Sequence, residues 1–345
     1  MKVYLIRHGE TVDNVAGLYA GVRDSALTIH GLEQARRLGE HFAKSNNVHL
    51  THIFASPLSR AYKTAEALLK AQKHGAAEKS QAVDMLAIVK VPDLIEQDFG
   101  YYEGRPFYAR SEAKKSGREA HYDRHKDDPD FVDVESKESM SKRADAFLDE
   151  HFMPLLDDQA ADDSLEVAIV SHGILLSHLW RRLLLRLPRK SLTVAADVTA
   201  ARGSIVLEHL GGWSNTGYLE LAMSKDSGFT NLAAVSREAA QTAEVSDTPT
   251  CPTPMSPTPI DTEKKAMITP DRTSAATSSL SRKASTAHSP TASLRTLAGW
   301  STHILAVDSK AHLSGLKRQR GGIGRLAHDE GQQKMTGFFK RQKKG

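Results

Sequence analysis

The chain has 345 residues, of which 40% are hydrophobic, enough for one large domain or two small ones with a buried core. Its single cysteine, Cys251, excludes an intrachain disulfide, argues against a thiolate metal site and fits a reducing compartment. No apolar run approaches the roughly 20 residues that a membrane helix needs, and residues 1–9 lack the apolar core of a signal peptide. We therefore expect a soluble protein of the cytoplasm or the nucleus, with no membrane partner.

The positive charge is concentrated at the C-terminal end. Residues 311–345 hold nine Lys or Arg and two acidic residues, a charge of +7, so the first 310 residues carry −3 of the chain's net +4. An evenly basic fold would indicate nucleic-acid binding along its whole surface. Here only the end of the chain could make a weak contact of that kind, and its clusters 317–320 and 340–344 resemble nuclear-import signals.

Residues 1–225 alternate short apolar runs with stretches of helical spacing. The runs predict strands and the stretches predict helices: strands at 3–6, 53–55, 167–170, 204–207 and 219–222, and helices at 31–43, 58–71 and 174–187. The repeated order of strand and helix is typical of a mostly parallel sheet covered by helices on both faces. We therefore predict an α/β fold over residues 1–225.

Two regions depart from this pattern. Residues 105–150 are highly charged and predict a partly helical, cap-like insertion over one end of the sheet. From residue 237 the chain is rich in Ser, Thr and Pro and poor in large apolar residues, so we predict that 237–345 is a disordered, low-complexity tail. The one apolar patch in that tail, 294–307 around Trp300, is open to interpretation as a second short binding segment.

Four motifs place polar and charged side chains near the ends of predicted strands. They are LIRHGET with Arg7, His8 and Gly9, SPLSRAYKTAE with Arg60, LIEQDFGYYEG with Glu96 and Glu103, and SHG with His172. Because ligands bind outside the carboxyl ends of strands in such a sheet, we expect these side chains to lie close together. Arginine suits phosphate oxygens, glycine allows close backbone approach, and a neutral imidazole can attack phosphorus. The set indicates phosphoryl-transfer chemistry.

In this order, over residues 1–222, the motifs resemble those of the histidine phosphatase superfamily, in the branch with cofactor-dependent phosphoglycerate mutase and fructose-2,6-bisphosphatase. The resemblance implies that His8 is the nucleophile and that Arg7, Arg60, His172 and Asn14 hold the phosphoryl oxygens. It implies that Glu96, held protonated, gives its proton to the leaving oxygen, and that neither a metal nor another cofactor is needed.

Three further residues carry weaker expectations from the same resemblance. The family's loop glycine falls on Gly21, and Glu103 is interpreted as a supporting residue beside the substrate. The stretch 135–147 resembles the family's G-E-S…R…F element, although Lys137 stands where glycine is usual. Ser139 is therefore a candidate at the pocket mouth.

The motifs alone leave the activity open between a phosphatase and a phosphoglycerate-type mutase. The glycolytic mutases carry a longer basic segment with a proline run after the glutamate motif, whereas residues 105–142 contain only Pro106 and Pro129. That difference favours hydrolysis of a phosphate monoester, either a small molecule or a phosphoprotein. A third hypothesis is a replication-associated adaptor that retains the fold for binding.

The adaptor hypothesis comes from the end of the chain, where residues 332–339 read QQKMTGFF before a basic cluster. This resembles the PIP box, the peptide that binds the replication sliding clamp (PCNA), and the matching residues are Gln332, Met335, Phe338 and Phe339. A single helical turn would put the apolar side chains on one side, and the flanking lysines suit an acidic surface. The alternative is that the phenylalanines dock on the chain's own domain.

Overall fold

The computed structural model describes residues 1–45, 48–75, 85–107, 127–157, 165–188, 190–225, 294–318 and 325–327. Within these ranges seven strands form one sheet in the order β3-β2-β4-β1-β6-β7-β5. The strands are β1 Lys2–Arg7, β2 His52–Ala55, β3 Ile88–Lys90, β4 Glu166–Ser171, β5 Leu192–Val194, β6 Tyr218–Lys225 and β7 Trp300–Ser309. Strands β3, β2, β4 and β1 run parallel, β6 is antiparallel to both of its neighbours, and β5 is parallel to β7. The predicted α/β fold with a mostly parallel sheet is confirmed.

Helices cover both faces of this sheet. The described helices are α1 Val12–Ala16, α2 Ile29–Glu40, α3 Ser59–Gly75, α4 Lys137–Phe147, α5 Met153–Asp157, α6 Gly173–Arg186 and α7 Ala196–Arg202. Alternate residues of β1 belong to two separate cores, with Val3 and Leu5 in one and Tyr4 and Ile6 in the other. This alternation follows from the period of two along a strand. It explains why the central strands are continuous apolar runs.

Most of the predicted elements coincide with the structure, but the strand predicted at 204–207 is wrong. Gly203, with φ of 74°, ends α7, and residues 204–207 form no strand. The Leu207 carbonyl instead accepts a hydrogen bond from the Trp180 indole at 2.6 Å. A side chain of α6 therefore uses a backbone group that a sheet would have needed.

The prediction that the domain ends at residue 225 and that all of 237–345 is disordered is also wrong for residues 294–318. Strand β7 lies inside the sheet between β6 and β5, and Trp300, Thr302 and Ile304 are buried. Most of the segment 294–307 is thus part of β7, a strand of the domain, instead of a separate binding segment. The motif 332–339, the basic cluster 340–344 and Cys251 lie outside the described residues.

The predicted insertion at 105–150 also needs correction at its C-terminal end. Helix α4 buries Met140, Ala144 and Phe147 in the core that also contains Val3 and Leu5, together with residues of α6. This helix is therefore part of the domain's core, while residues 108–126 lie outside the described part of the chain. None of the helices described is long and apolar enough to cross a membrane.

Candidate active site

A cavity of about 560 Å³ opens at the carboxyl ends of the parallel strands. It brings together side chains that are far apart in the sequence, and its lining includes Arg7, His8, Asn14, Arg60 and Glu96. His172 is close to this set, with its ring centre 5.1 Å from that of His8. The structure therefore assembles at one edge of the sheet the five residues to which the sequence assigns catalysis.

His8 follows the last residue of β1 and is 4% exposed. Its Nδ1 lies 2.7 Å from the carbonyl oxygen of Gly9. A carbonyl can only accept, so we assign the proton to Nδ1 and the lone pair to Nε2. Burial, followed by the positive charges of Arg7 and Arg60, lowers the pKa of His8 well below its usual 6.5. The ring is therefore uncharged and has the tautomer that a nucleophile needs.

The two arginines hold different parts of the cavity. Arg7 donates from Nη1 to the carbonyl oxygen of Trp213 at 2.6 Å, and its buried Nε finds no partner among the described residues. A buried donor without a partner is costly, so this N–H is suited to an oxygen of a bound anion. Arg60 is 1% exposed and donates to the carbonyl oxygens of Ala20, Gly21 and Arg23. Arg60 therefore fixes the position of residues 20–23 next to the cavity, and its positive charge stays close enough to His8 to lower the pKa of that ring.

His172 caps the N-terminus of α6 and is fully buried. Its Nδ1 accepts a hydrogen bond from Arg60 Nε at 3.2 Å, so its proton lies on Nε2, which is 2.9 Å from the Ser56 hydroxyl. Burial, Arg60 and His8 lower the pKa of His172 well below 6.5. Both ring nitrogens are therefore bonded to protein groups, and contact between His172 and a phosphoryl group stays a prediction.

Glu96 is held at the same helix end. One carboxylate oxygen accepts the N–H of Gln97 at 2.9 Å and of Leu175 at 3.0 Å, and the other accepts that of Ile174 at 3.1 Å. Arg143 fixes the backbone that carries Glu96 by donating to the carbonyl oxygens of residues 93, 95 and 96. Three backbone N–H donors therefore fix the orientation of the Glu96 carboxyl group at the edge of the cavity.

Gly21, Glu103 and Ser139 are placed differently from the catalytic set. The Glu103 carboxylate accepts the backbone N–H groups of Gly21, Val22 and Phe99, and a Cβ on Gly21 would lie 2.0 Å from the Gln97 carbonyl oxygen. Glu103 therefore shapes the loop that Arg60 also holds. Ser139 donates to Glu135 at 2.7 Å. None of the three is among the described residues that line the cavity, and their contact with substrate stays a prediction.

The profile of the histidine phosphatase superfamily (branch 1) matches residues 3–213. The chain belongs to this superfamily. It is 32% identical over 183 residues to a protein of Schizosaccharomyces pombe named a probable phosphatase, covering 53% of this chain and 56% of that protein. It is 31% identical over 185 residues to a "Putative phosphoserine phosphatase 2" of Hydrogenobacter thermophilus, covering 52% and 82% of the two chains.

A third relative carries the name of a mutase. The chain is 29% identical over 181 residues to a "Probable phosphoglycerate mutase GpmB" of Proteus mirabilis, covering 51% of this chain and 71% of that protein. Two of these three relatives are thus named as phosphatases and one as a mutase. The chain spans just over half the length of the relative from Schizosaccharomyces pombe.

The sequence alone missed several residues of this histidine phosphatase site. Ser56 follows β2 directly, as His172 follows β4, so the rule that places ligands at strand ends could have found it. Trp213 and Asn215 precede β6, whose antiparallel direction brings its N-terminal end to the same edge. That placement needs the direction of β6, which no local pattern gives. In the part of the chain that the structure describes, no three His, Cys, Asp or Glu residues are grouped to hold a metal ion.

Proposed function

We propose that this histidine phosphatase hydrolyses phosphate monoesters through a phosphohistidine on His8, without a metal ion. The observation that carries the proposal is the state of the His8 ring. It is neutral, its Nδ1–H is fixed on the Gly9 carbonyl, which leaves the lone pair on Nε2, and the positive charges of Arg7 and Arg60 lower its pKa. The two arginines attract the phosphoryl oxygens, while the same charges keep the imidazole unprotonated.

The reaction then takes two steps. In the first, His8 Nε2 attacks phosphorus in line, the P–N bond forms as the ester P–O bond breaks, and Glu96 gives a proton to the leaving oxygen. The backbone N–H groups at the start of α6 stabilise the negative charge that remains on Glu96. In the second step, water attacks phosphorus and passes its proton to Glu96, and the P–N bond breaks to release phosphate.

The test is phosphate release over a panel of phosphorylated metabolites and phosphopeptides. The His8→Ala variant should lose release and should fail to accumulate acid-labile, alkali-stable phosphate on the protein. His178→Ala is the matched control, since His178 lines the same cavity but stands away from the strand ends. A His8→Ala protein that releases phosphate at the wild-type rate would refute the mechanism.

A mutase is the second candidate, and the cavity wall gives it a specific basis. Arg181 lines the cavity, as do the apolar side chains of Tyr19 and Phe99. A cation there could hold the carboxylate of a phosphoglycerate during re-transfer. Isomerisation of 3-phosphoglycerate without release of phosphate, lost in Arg181→Ala, would favour the mutase. Phosphate release in the same assay would favour hydrolysis.

We also propose that residues 332–339 target the enzyme to a PCNA-type sliding clamp in the nucleus. The support is the sequence alone: Gln332, Met335, Phe338 and Phe339 at the spacing of a PIP box, followed by a basic cluster. A peptide of residues 328–345 should bind the purified clamp, and replacing both phenylalanines with alanine should abolish binding. Equal binding by the two peptides would remove this proposal and would leave the catalytic one untouched.

A further inference from the structure

A loop formed by residues 213–217 wraps around the backbone of the nucleophile. The Thr216 N–H lies 3.1 Å from the Arg7 carbonyl oxygen and 3.2 Å from that of His8. The Asn215 amide donates to the His8 carbonyl oxygen and to the Asn14 side chain. The Trp213 carbonyl accepts Nη1 of Arg7. The position of this loop therefore sets the position of both the nucleophile and its neighbouring guanidinium.

The loop holds a strained conformation that its own sequence does not favour. Thr216 is β-branched and yet has a φ of 57°. A β-branched residue in that region is disfavoured and persists only where its surroundings impose the conformation. The constraint must come from residues packed against the loop.

Two side chains of the segment 300–312, which we call the C-terminal brace, supply that constraint. The Asp308 carboxylate accepts the Ser214 N–H and the Ser214 hydroxyl, each at 2.8 Å. The Thr216 hydroxyl donates to the Asn215 carbonyl, so it accepts the hydrogen bond from His312 Nε2 at 2.9 Å. Both anchors reach the loop from residues that follow β6 by more than 80 positions.

The geometry of the brace explains why Asp308 reaches the loop. The register between β6 and β7 shifts twice near the end of β7, at a bulge between the pairs Tyr218–Ser309 and Leu221–Ile304. Bulges redirect side chains at sheet ends. Asp308 itself has a φ of 47°, a conformation that aspartate tolerates better than most residues. Its side chain is 10% exposed.

We propose that Asp308 and His312 are positioning residues, which act on Arg7 and His8 through the 213–217 loop. The expected loss of rate rests on the proposed function. The expected loss of phosphate binding does not, because it concerns only the geometry of the site. Neither side chain lines the cavity. The C-terminal brace, which follows β6 in the chain by at least 75 positions, therefore acts on the active site without lining its cavity.

The test compares two replacements of Asp308. Glycine tolerates a φ of 47°, so Asp308→Gly removes the carboxylate without adding backbone strain. Displacement of reacting groups by about 1 Å can reduce a rate about 100-fold, so we expect kcat to fall roughly 10- to 100-fold. Asp308→Asn keeps an acceptor for the Ser214 N–H and a polar partner for its hydroxyl, and should restore most of the rate. His303→Ala is the control on β7, because its ring contacts Thr193 of β5 instead.

A second measurement does not depend on turnover. Inorganic phosphate binding, followed by calorimetry, should weaken in Asp308→Gly and in His312→Ala, whereas His312→Gln, which keeps an N–H donor, should bind nearly as wild type does. Wild-type values for Asp308→Gly in both assays would overturn the positioning role alone. Intact phosphate binding in a wild-type protein that turns over no monoester would overturn the proposed function alone. A wild-type protein that neither binds phosphate nor turns over would overturn both.

Discussion

Replacement of Gly9 with alanine tests the close packing behind the nucleophile. A Cβ at this position would lie 2.6 Å from the carbonyl oxygen of Gly31, where ordinary contacts begin near 3.4 Å. The obstructing atom is backbone, so one of the two segments must move by about 0.8 Å. The same two segments also pack closely at Gly31, where an added Cβ would lie 2.0 Å from the Glu10 carbonyl oxygen.

The displacement would be passed directly to His8. The Gly9 carbonyl is the acceptor that fixes the His8 tautomer, and the Gly9 N–H donates to the Thr64 hydroxyl at 3.1 Å. Because a misplacement near 1 Å can cost about 100-fold in rate, we expect Gly9→Ala to lower kcat by roughly 100-fold. Overpacking of this kind should also lower the free energy of unfolding by about 1–3 kcal/mol.

A matched control separates the two effects. A Cβ on Gly39 would meet the Ala67 carbonyl oxygen at the same 2.6 Å, in the contact between α2 and α3. Gly39→Ala should therefore destabilise the fold without a large change in kcat. The assay is phosphate release by each purified variant, with thermal unfolding measured in parallel. Equal kcat for Gly9→Ala and Gly39→Ala would show that the packing behind His8 does not set its position.

Three other predictions concern protons. Because burial and two arginines lower the pKa of His8, the rate of phosphate release, corrected for substrate ionisation, should stay nearly flat from pH 7.5 to 5.5. An ordinary imidazole would be only about 10% neutral at pH 5.5. A tenfold fall in the rate over this range would therefore contradict the structure. Ser56→Ala removes the partner of His172 Nε2. It should lower kcat roughly tenfold, the equivalent of about 1.4 kcal/mol, with little change in KM, and Ser56→Thr should restore kcat. An unchanged kcat in Ser56→Ala would argue against a role for this hydrogen bond. Burial and the neighbouring charges of His41 and Arg37 lower the pKa of His312 to about 4, so the unfolded chain takes up a proton below pH 6.5 that the folded chain refuses. Stability should therefore fall from pH 6.5 towards pH 4 by up to about 3 kcal/mol, and urea titrations should show a shallower pH dependence in His312→Gln.

Four of the five proposed catalytic residues could be brought together from the sequence because they obey a local rule. Arg7, His8, Arg60 and His172 all stand directly at or just after a buried strand, or in the first turn of the following helix. The apolar runs that end there are visible in the sequence. A parallel sheet then brings the ends together whatever the loops contain.

The contribution of β7 could not be predicted, because it depends on a distant partner. Trp300, Thr302 and Ile304 alternate as a strand should, but Thr302 weakens the apolar pattern and a polar, proline-rich stretch precedes it. What makes the segment a strand is pairing with β6 on one side and β5 on the other. Conversely, residues 204–207 have a strand-like composition but pair with none of the strands described. Strand formation depends on tertiary context, which composition does not supply.

The ion pair between Arg318 and Glu10 shows the same dependence on distant contacts. Two guanidinium nitrogens lie 2.6 and 2.5 Å from the two carboxylate oxygens, and Glu10 is two residues from His8. In the sequence Arg318 belongs to a basic cluster that resembles an import signal. In the structure it is bound to the segment that carries the catalytic motif.

The pairing of β6 with β7 has a consequence for the integrity of the enzyme as a polypeptide. Lys225 and Trp300 are paired in the sheet although 75 positions separate them, and β5 pairs with β7. Cutting the chain between residues 226 and 293 would yield two fragments, neither of which contains a complete sheet. The first would carry every side chain proposed to react, and the second would carry β7, which joins β5 to the rest of the sheet. The domain is thus a natural candidate for a split enzyme, whose halves regain activity only by reassembly.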